Sequence, residues 1–154
     1  MNDACEKIIC FYRVNDAYGC FSNFAPYPIV IDGKRWPTSE HFFQGQKFAG
    51  TPSEDVIRNL ESPMEAAKRG RDRSLPLRKD WEEVKDDLMR QAVGEKFRQH
   101  AELREVLLST GNAVLIEHTK NDSYWADGGD GSGKNMLGII LMELRSELQS
   151  QGTL

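Results

Sequence analysis

Signals for helix starts follow one another through the middle of this chain, and they constrain its fold more than any other feature. Thr38 or Ser39 can cap a first helix. Thr51 and Ser62 each precede a proline and have a glutamate three residues on, which predicts two capping boxes with proline at the first helical position. Asp80 is the cap expected for a fourth helix. This part of the chain is therefore predicted to be a series of helices.

The flanking segments predict strands and further helices. A strand is expected over residues 7–14, which are rich in β-branched and aromatic residues. Asp32 and Gly33 separate two apolar runs, a pattern that favours a β-hairpin. A helix is expected over residues 101–111 and a short strand over 112–119. Apolar residues that should face the core recur at helical spacing near the C-terminus: Leu137, Ile140, Leu141, Leu144 and Leu148.

These elements predict the fold class and the number of domains. The expected class is mainly α, of the α+β kind, with several helices and a few short β-strands. The chain has 154 residues, the size of one ordinary domain. No repeat or linker interrupts it, so we expect a compact single domain over residues 7–149.

Charge and cysteine content limit the possible partners and location. The formal net charge is -4, so no net basic field attracts nucleic acid non-specifically. No apolar run approaches the length that crosses a membrane. Three cysteines, Cys5, Cys10 and Cys20, are an odd and closely spaced set that fits reduced thiols, so a cytoplasmic location is expected. No feature of the sequence indicates an oligomeric state.

The segment WPTSEHFFQGQKFAG, residues 36–50, mixes aromatic and polar residues on one predicted helix. At about 100° per residue, Glu40, Gln44 and Lys47 fall on one stripe. Aromatic residues surround that stripe, so the helix is apolar nearly all round and is predicted to be buried. The stripe then faces either a network of ion pairs or a cavity. A buried carboxylate is costly unless paired, and the same cost makes it a candidate acid or base.

A basic segment follows in this acidic chain. Arg71 and Arg73 lie just past a predicted helix end, where guanidinium groups can converge on a phosphate. The alternative, a solvated charge run, is equally favoured by the residues alone. The full set is Lys68, Arg69, Arg71, Arg73, Arg78 and Lys79. Trp81, at the start of the next helix, is either a packing anchor or a surface on which a base or sugar stacks.

The glycine-rich segment near residue 130 resembles a phosphate-binding loop only in part. Asn135 stands where such a loop needs Ser or Thr to hold magnesium, and no buried strand precedes it, so we reject a nucleotide triphosphatase. Asp122 and Asp127 flank Trp125, a composition typical of sugar or nucleoside sites and equally of a surface loop. The three histidines share no metal-binding spacing, and we expect neither a metal nor another cofactor.

Five motifs, taken together and in order, resemble one known family. They are FSNFAPYPI, WPTSEHFFQGQKF, SPMEAAKRGRDRSLPLRKDW, VLIEHTKNDSYWADG and GKNMLGIILMELR. In this order and spacing the chain resembles the YbiA-like or NADAR family from about residue 11 to the C-terminal helix. The resemblance implies a mainly helical domain and N-glycosidase activity. Some members hydrolyse the bond between a ribose phosphate and a pyrimidine in early riboflavin intermediates, and others remove ADP-ribose from guanine in nucleic acid.

The resemblance also implies site residues. The family glutamate corresponds to Glu40, in one motif with Gln44 and Lys47, and the second acid to Asp122, with Asp127 as the other candidate. The residues implied for substrate binding are Trp81, Asn23, Phe24, Gln44, Arg71, Arg73 and Trp125. Two positions depart from the family pattern: Ala126 replaces a glycine, which matters if that position needs positive φ, and Gly45 stands where many members have alanine.

The expected chemistry is cleavage of a ribosyl C–N bond. Positive charge grows on the anomeric carbon and negative charge on the leaving base, so a carboxylate and a donor to the base both help. Glu40 is predicted to act on water or on the sugar. Lys47 either pairs with Glu40 or attacks the opened sugar as an amine. The alternatives for the whole protein are removal of ADP-ribose from guanine and a non-catalytic module that binds ADP-ribose or a phosphoribosyl compound.

Overall fold

The structure, a computed structural model, describes residues 7–152. The contacts divide the chain into two compact units. We call residues 23–99 the middle unit and the remainder, residues 7–22 and 100–152, the terminal unit. The division leaves the prediction of a single domain over residues 7–149 as a prediction, since each unit is described by itself.

The middle unit contains a hairpin and four helices. Strands β2 (Ile29–Ile31) and β3 (Lys34–Trp36) pair antiparallel, with Val30 opposite Arg35. Asp32 and Gly33 both have positive φ, at 52° and 79°, as the tight turn requires, so the predicted hairpin is confirmed. The helices of this unit are α1 (Ser39–Gln46), α2 (Pro52–Arg58), α3 (Pro63–Gly70) and α4 (Trp81–Gln99).

Helix α1 packs against the three other helices of the middle unit and against β3. All seven residues from Ser39 to Gly45 are buried, which confirms the predicted burial of this helix. Thr38 caps it, because its hydroxyl oxygen accepts a hydrogen bond from the His41 amide at 3.1 Å. The His41 ring bridges Thr38 Oγ1, at 2.8 Å from Nδ1, and the Leu60 carbonyl, at 3.0 Å from Nε2. This fully buried histidine therefore fixes α1 to the segment between α2 and α3.

Two aliphatic and aromatic clusters fill the core of the middle unit. One contains Ile29, Ile31, Trp36, Phe42 and Ala92, and Trp36 meets Phe42 edge-on with ring centroids 5.4 Å apart. The other contains Phe48, Ile57 and Ala66. Burial of such side chains contributes on the order of 1.5–3 kcal/mol each. The first cluster includes Phe42 of α1 and so anchors that helix to the hairpin and to α4.

The two predicted capping boxes have different outcomes. Ser62 accepts from the Glu65 amide, and Glu65 accepts from the Ser62 amide, so this box is confirmed. The box predicted at Thr51 is wrong. Its hydroxyl donates to the Phe48 carbonyl at 2.7 Å, and Glu54 instead accepts from the Gly50 amide at 2.9 Å. The preceding turn thus competes for both side chains.

The terminal unit contains two strands, two helices and a short 3₁₀ turn at Gly19–Phe21. Strands β1 (Ile8–Phe11) and β4 (Val114–Glu117) pair in parallel, with Ile9 opposite Leu115. Helices α5 (Ala101–Ser109) and α6 (Met136–Gln151) pack against each other, and α6 also packs on β4. The five apolar residues predicted to face the core from α6 are all buried. The fold class, mainly α with a few short strands, is confirmed.

Two further observations concern the chain as described. Among residues 7–152, no helix combines the length and apolar character needed to span a bilayer. Cys10 is exposed and Cys20 is half-buried, and neither is part of a disulfide. Cys5 lies outside the described residues.

Candidate active site

The polar stripe of α1 carries a buried hydrogen-bonded pair. Glu40 is 8% exposed and Gln44 is 6% exposed. One helical turn separates them, and Gln44 Nε2 donates to Glu40 Oε2 at 2.7 Å. The second amide atom, Gln44 Oε1, is buried and accepts no hydrogen bond from any residue in the range 7–152. A buried acceptor without a donor in the protein is uncommon.

Lys47 continues the stripe beyond the end of α1. Its Nζ donates to the Gly70 carbonyl at 3.3 Å and lies 5.6 Å from the centroid of the Trp81 ring. Burial lowers the pKa of the Lys47 amine, the negative charge of Glu40 raises it, and the positive charges of Arg71 and Lys85 lower it further. The net direction is down, which increases the fraction of neutral amine.

Trp81 forms one aromatic surface with Phe43. Trp81 is the first residue of α4 and is 7% exposed. The Phe43 ring, from α1, lies against it at a centroid distance of 5.0 Å and an interplanar angle of 56°. The indole therefore packs against α1 on the side that carries Lys47.

Arg71 and Arg73 lie at and after the end of α3. Arg71 is the C-cap residue of α3, and both arginines are exposed. Neither guanidinium makes an ion pair or hydrogen bond with another residue of the described chain. Arg78 differs, because it binds the Asp80 carboxylate through Nε at 2.7 Å and Nη2 at 3.2 Å. Unlike Arg78, Arg71 and Arg73 keep their donors available for an anion.

Asn23 fixes the start of α1. Its Oδ1 accepts from the Ser39 hydroxyl at 2.7 Å, and its backbone carbonyl accepts from the Glu40 amide at 3.1 Å. Its Nδ2 lies 3.4 Å from Met89 Sδ. The side-chain amide and the backbone carbonyl of Asn23 therefore bind other residues of the middle unit. Phe24, the other residue of this motif, is half-buried.

Asp127, in the terminal unit, is surrounded by donors. Its Oδ2 lies 2.7 Å from His118 Nδ1, and its Oδ1 accepts from the amides of Gly129 at 2.8 Å and Thr119 at 3.1 Å. Burial raises the pKa of this carboxyl, but the hydrogen bonds from His118 and from the two amides outweigh it, so the pKa is lowered. Asp127 therefore organises the loop between β4 and α6.

Asp122 is held in a different way. Its Oδ1 accepts from the amides of Tyr124 and Trp125, both at 2.8 Å, in a turn of the kind that aspartate favours. Within residues 7–152, Oδ2 accepts no hydrogen bond. Trp125 is half-buried and meets Tyr124 edge-on at 4.9 Å. Lys134 Nζ lies 5.2 Å from the Tyr124 ring centroid.

Asn135 supports the rejection of a phosphate-binding loop. It has φ 54° at the start of α6, and its side chain bridges β4: Oδ1 accepts from the Glu117 amide at 3.0 Å, and Nδ2 donates to the Leu115 carbonyl at 2.9 Å. The residue that follows the glycine-rich segment, Asn135, therefore uses its side chain to bind β4. In the described part of the chain, no group of three or more His, Cys, Asp or Glu side chains could hold a metal ion.

The structure explains the two departures from the family pattern. Ala126 is fully buried and is absent from the described non-glycine residues with positive φ, so alanine fits there without strain. A Cβ at Gly45 would lie 2.6 Å from the Trp36 ring, so in this chain glycine provides room for that indole.

Two neighbours of Lys47 did not emerge from the sequence. Lys85 lies one helical turn after Trp81 on α4, so the spacing of four residues was a usable signal. Gly70 follows a run of small and basic residues, a pattern typical of a helix end. Its contact with α1 joins residues that are distant in the chain and leaves no local pattern.

The fold and the stripe define a class of small, mainly helical enzyme domain in which a buried carboxylate accompanies a lysine of lowered pKa. More particularly, the chain belongs to the NADAR family, whose model, described as "NADAR domain", matches residues 10–149. Those residues include parts of both units.

Curated proteins and one solved structure agree with this assignment. The chain is 60% identical to "N-glycosidase YbiA" of Escherichia coli (strain K12) over 93% of this chain and 89% of that protein. It is 45% identical to "N-glycosidase Npun_R5314" of Nostoc punctiforme over 92% of this chain and 93% of that protein. The solved NMR structure of E. coli YbiA matches with a TM-score of 0.88 and 59% identity, over 95% of this chain and 87% of that one.

Proposed function

We propose that this chain hydrolyses the C–N bond between a phosphorylated ribose and a base in an early intermediate of riboflavin synthesis. The chain is 60% identical to a curated N-glycosidase over most of both chains, which supports N-glycosidase activity on a small glycosyl substrate. A more distant relative supports the pathway. The chain is 40% identical to "Riboflavin biosynthesis protein VVA0006" of Vibrio vulnificus over 94% of this chain and 39% of that protein.

The observation that carries the proposal is the buried Glu40 beside Lys47. A carboxylate that is 8% exposed and fixed by Gln44 can stabilise a developing oxocarbenium ion or orient water with little reorganisation. Its neighbour Lys47 has a lowered pKa and makes no ion pair with Glu40 among the described residues. We therefore assign Glu40 the acid–base role and favour the amine role for Lys47 over simple pairing.

The remaining assignments complete the proposed reaction. Trp81 presents an aromatic surface for the base or the sugar, and the exposed Arg71 and Arg73 supply donors for the phosphate. Asp122 is the preferred second acid, because one of its carboxylate oxygens is without a hydrogen bond while both oxygens of Asp127 are occupied. Gln44, Asn23, Phe24 and Trp125 stay as predicted substrate-binding residues. The cytoplasmic location also stays a prediction.

The test is release of a base, measured by chromatography. The protein is incubated with the phosphorylated ribosylaminopyrimidine intermediates of riboflavin synthesis and, separately, with ADP-ribosylated guanosine. The matched control is Glu40→Gln, which keeps the shape of the side chain and removes its charge. We expect base release from the riboflavin intermediates with the unmodified protein only.

The alternatives predict other results. Guanine released from ADP-ribosylated guanosine, with the riboflavin intermediates intact, assigns the protein to the second substrate class and rejects the first. Tight binding of ADP-ribose with no base released over hours favours a non-catalytic module and contradicts the proposal. Nucleic acid that carries ADP-ribosylated guanine is the matching macromolecular substrate, and the net charge of -4 weighs against it.

A further inference from the structure

Gly70 contacts two members of the polar stripe, although no sequence pattern points to it. Its carbonyl oxygen accepts from Lys47 Nζ at 3.3 Å. Its Cα faces the Gln44 amide: a Cβ built on Gly70 would lie 2.7 Å from Gln44 Cδ and 3.1 Å from Gln44 Cβ, and it would overlap Gln44 Oε1. One residue of α3 thus touches both Lys47 and Gln44, the residue that donates to Glu40.

The backbone does not explain why glycine is present at this position. Gly70 is a residue of α3 and is not among the glycines with positive φ, so any L-amino acid could adopt its conformation. Alanine forms helices better than glycine, and the buried positions Ala66 and Ala67 of the same helix carry it. Local stability therefore favours alanine at position 70, and the space that Gln44 occupies is what favours glycine.

The Gln44 side chain cannot move aside without consequence. Its Nε2 holds Glu40 Oε2 at 2.7 Å, while its buried Oε1 lacks a donor within the described residues and rests against Gly70. A methyl group at position 70 would displace the Oε1 end of the amide. Because the amide is planar, displacement of Oε1 also moves Nε2 away from Glu40.

We propose that Gly70 is a positioning residue that holds the Gln44 amide in the orientation that fixes Glu40. This inference rests on the proposed function for the role of Glu40, and its structural part stands apart from that role. Gly70 touches neither substrate nor water in this scheme, and it acts through Gln44. Its carbonyl places Lys47 on the same side, so one peptide unit sets the geometry of the proposed acid–base residue and of the amine.

The first measurement reports on the hydrogen bond and needs no substrate. In a ¹⁵N-labelled protein, the Gln44 side-chain amide should give one downfield, slowly exchanging proton from its bond to Glu40. The signal is assigned by its loss in Gln44→Ala. We expect Gly70→Ala to shift this proton upfield and to accelerate its exchange by about tenfold or more, while most backbone amide signals stay in place. An unchanged Gln44 signal in Gly70→Ala would overturn the inference whatever the activity.

The second measurement is a double-mutant cycle on kcat for base release. We expect Gly70→Ala and Gln44→Ala each to lower kcat by about 10-fold or more with a smaller change in KM, because the loss concerns orientation of a reacting group. If Gly70 acts through Gln44, the double variant is no slower than Gln44→Ala alone. Multiplied effects of the two changes, or full kcat in Gly70→Ala, would reject the positioning role.

A matched control separates this effect from any glycine replacement in a helix. Gly94 lies in α4, and a Cβ there would meet only the flexible end of the Arg98 side chain. Gly94→Ala should leave both the Gln44 signal and kcat unchanged. If the unmodified protein releases no base from any substrate while Gly70→Ala still disrupts the Gln44 signal, the proposed function fails and the structural part of the inference holds.

Discussion

The α1 stripe and the loop between β4 and α6 both carry buried or half-buried carboxylates, yet they satisfy them differently. In the stripe, Gln44 donates to Glu40, and the oxygen of the same Gln44 amide is without a donor among the described residues. In the loop, Asp127 receives three hydrogen bonds, two of them from backbone amides. A carboxylate that accepts from His118 and two backbone amides stabilises a loop conformation, whereas a buried carboxylate beside a lysine of lowered pKa is a candidate for reaction.

This contrast separates residues that fix the fold from residues that act on a substrate. Asp122 shares features of both regions. Two backbone amides donate to its Oδ1, and its Oδ2 accepts no hydrogen bond within residues 7–152. Substitution in the stripe should reduce rate, and substitution at Asp127 should reduce stability.

The largest effect is expected at Glu40. Replacement by Gln keeps an acceptor for Gln44 and removes the charge that stabilises the transition state. We expect kcat for base release to fall by about 10²–10⁴-fold, with the free energy of unfolding in urea changed by less than about 1 kcal/mol. A Glu40→Gln enzyme with full turnover would show that the stripe, like the loop, is structural.

Lys47 gives the next largest effect and tests whether its lowered pKa is used. Arginine keeps the positive charge but cannot lose a proton, so Lys47→Arg should lower kcat by about 10²-fold if the neutral amine reacts. In the unmodified enzyme, kcat should then rise with pH as the amine deprotonates, since burial has lowered its pKa. That rise should be absent in the variant.

Covalent trapping makes the same prediction more specific. If the neutral amine attacks the anomeric carbon, the C–N bond to the base breaks and the base leaves with the amine proton. Opening of the resulting ribosylamine gives an imine, which borohydride reduces to a stable amine. Mass spectrometry of the digested protein should find the adduct at Lys47. Full kcat in Lys47→Arg together with no adduct would leave Lys47 as a residue that tunes Glu40.

The sequence predicted those features of the fold that depend on residues close together in the chain. The Thr38 cap, the Ser62 box and the Asp32–Gly33 turn depend on residues a few positions apart, and the structure contains all three. The box at Thr51 failed because the Phe48 carbonyl and the Gly50 amide, set by the preceding turn, took both side chains. A segment in which such competing hydrogen bonds form has the same sequence pattern as a true capping box.

Contacts between distant residues had no such signal. The parallel pairing of β1 with β4 joins segments separated by the whole middle unit, although each strand was predicted by itself. The contact of Gly70 with Gln44 is equally invisible in sequence. Helical spacing and composition identified the stripe and the basic segment as candidates, and the family motifs assigned their roles. The difference between Asp122 and Asp127 came from the loop conformation, which no residue pattern specifies.

The same substitution at the two loop carboxylates, Asp122 and Asp127, should have different effects on stability and on kcat. Asp127→Asn removes the charge from an acceptor of three hydrogen bonds, so we expect a loss of about 1–3 kcal/mol in the free energy of unfolding. Asp122→Asn keeps an Oδ1 acceptor for its turn and should be nearly neutral for stability, while it lowers kcat by about 10²-fold. The reverse pattern, with Asp127→Asn slow and stable, would move the second acid to Asp127.

The pH dependence of stability sharpens the assignment of Asp127. Its folded pKa lies below the ordinary value of 3.8, so its contribution is present above that value and is lost as the pH falls through the folded pKa. Urea unfolding between about pH 5 and pH 2 should therefore show a steeper loss of stability in the unmodified protein than in Asp127→Asn. Parallel curves would remove the structural role given to this carboxylate.

The smallest effect is expected at Ala126, the position where the family usually has glycine. Its side chain is fully buried and its φ is not positive, so glycine would add freedom to the unfolded chain and remove a buried methyl group. Ala126→Gly should lower the free energy of unfolding by about 1 kcal/mol and leave kcat and KM unchanged. A gain of tenfold or more in kcat would mean that alanine restrains the loop during turnover, and the loop would then share the reactive character assigned to the stripe.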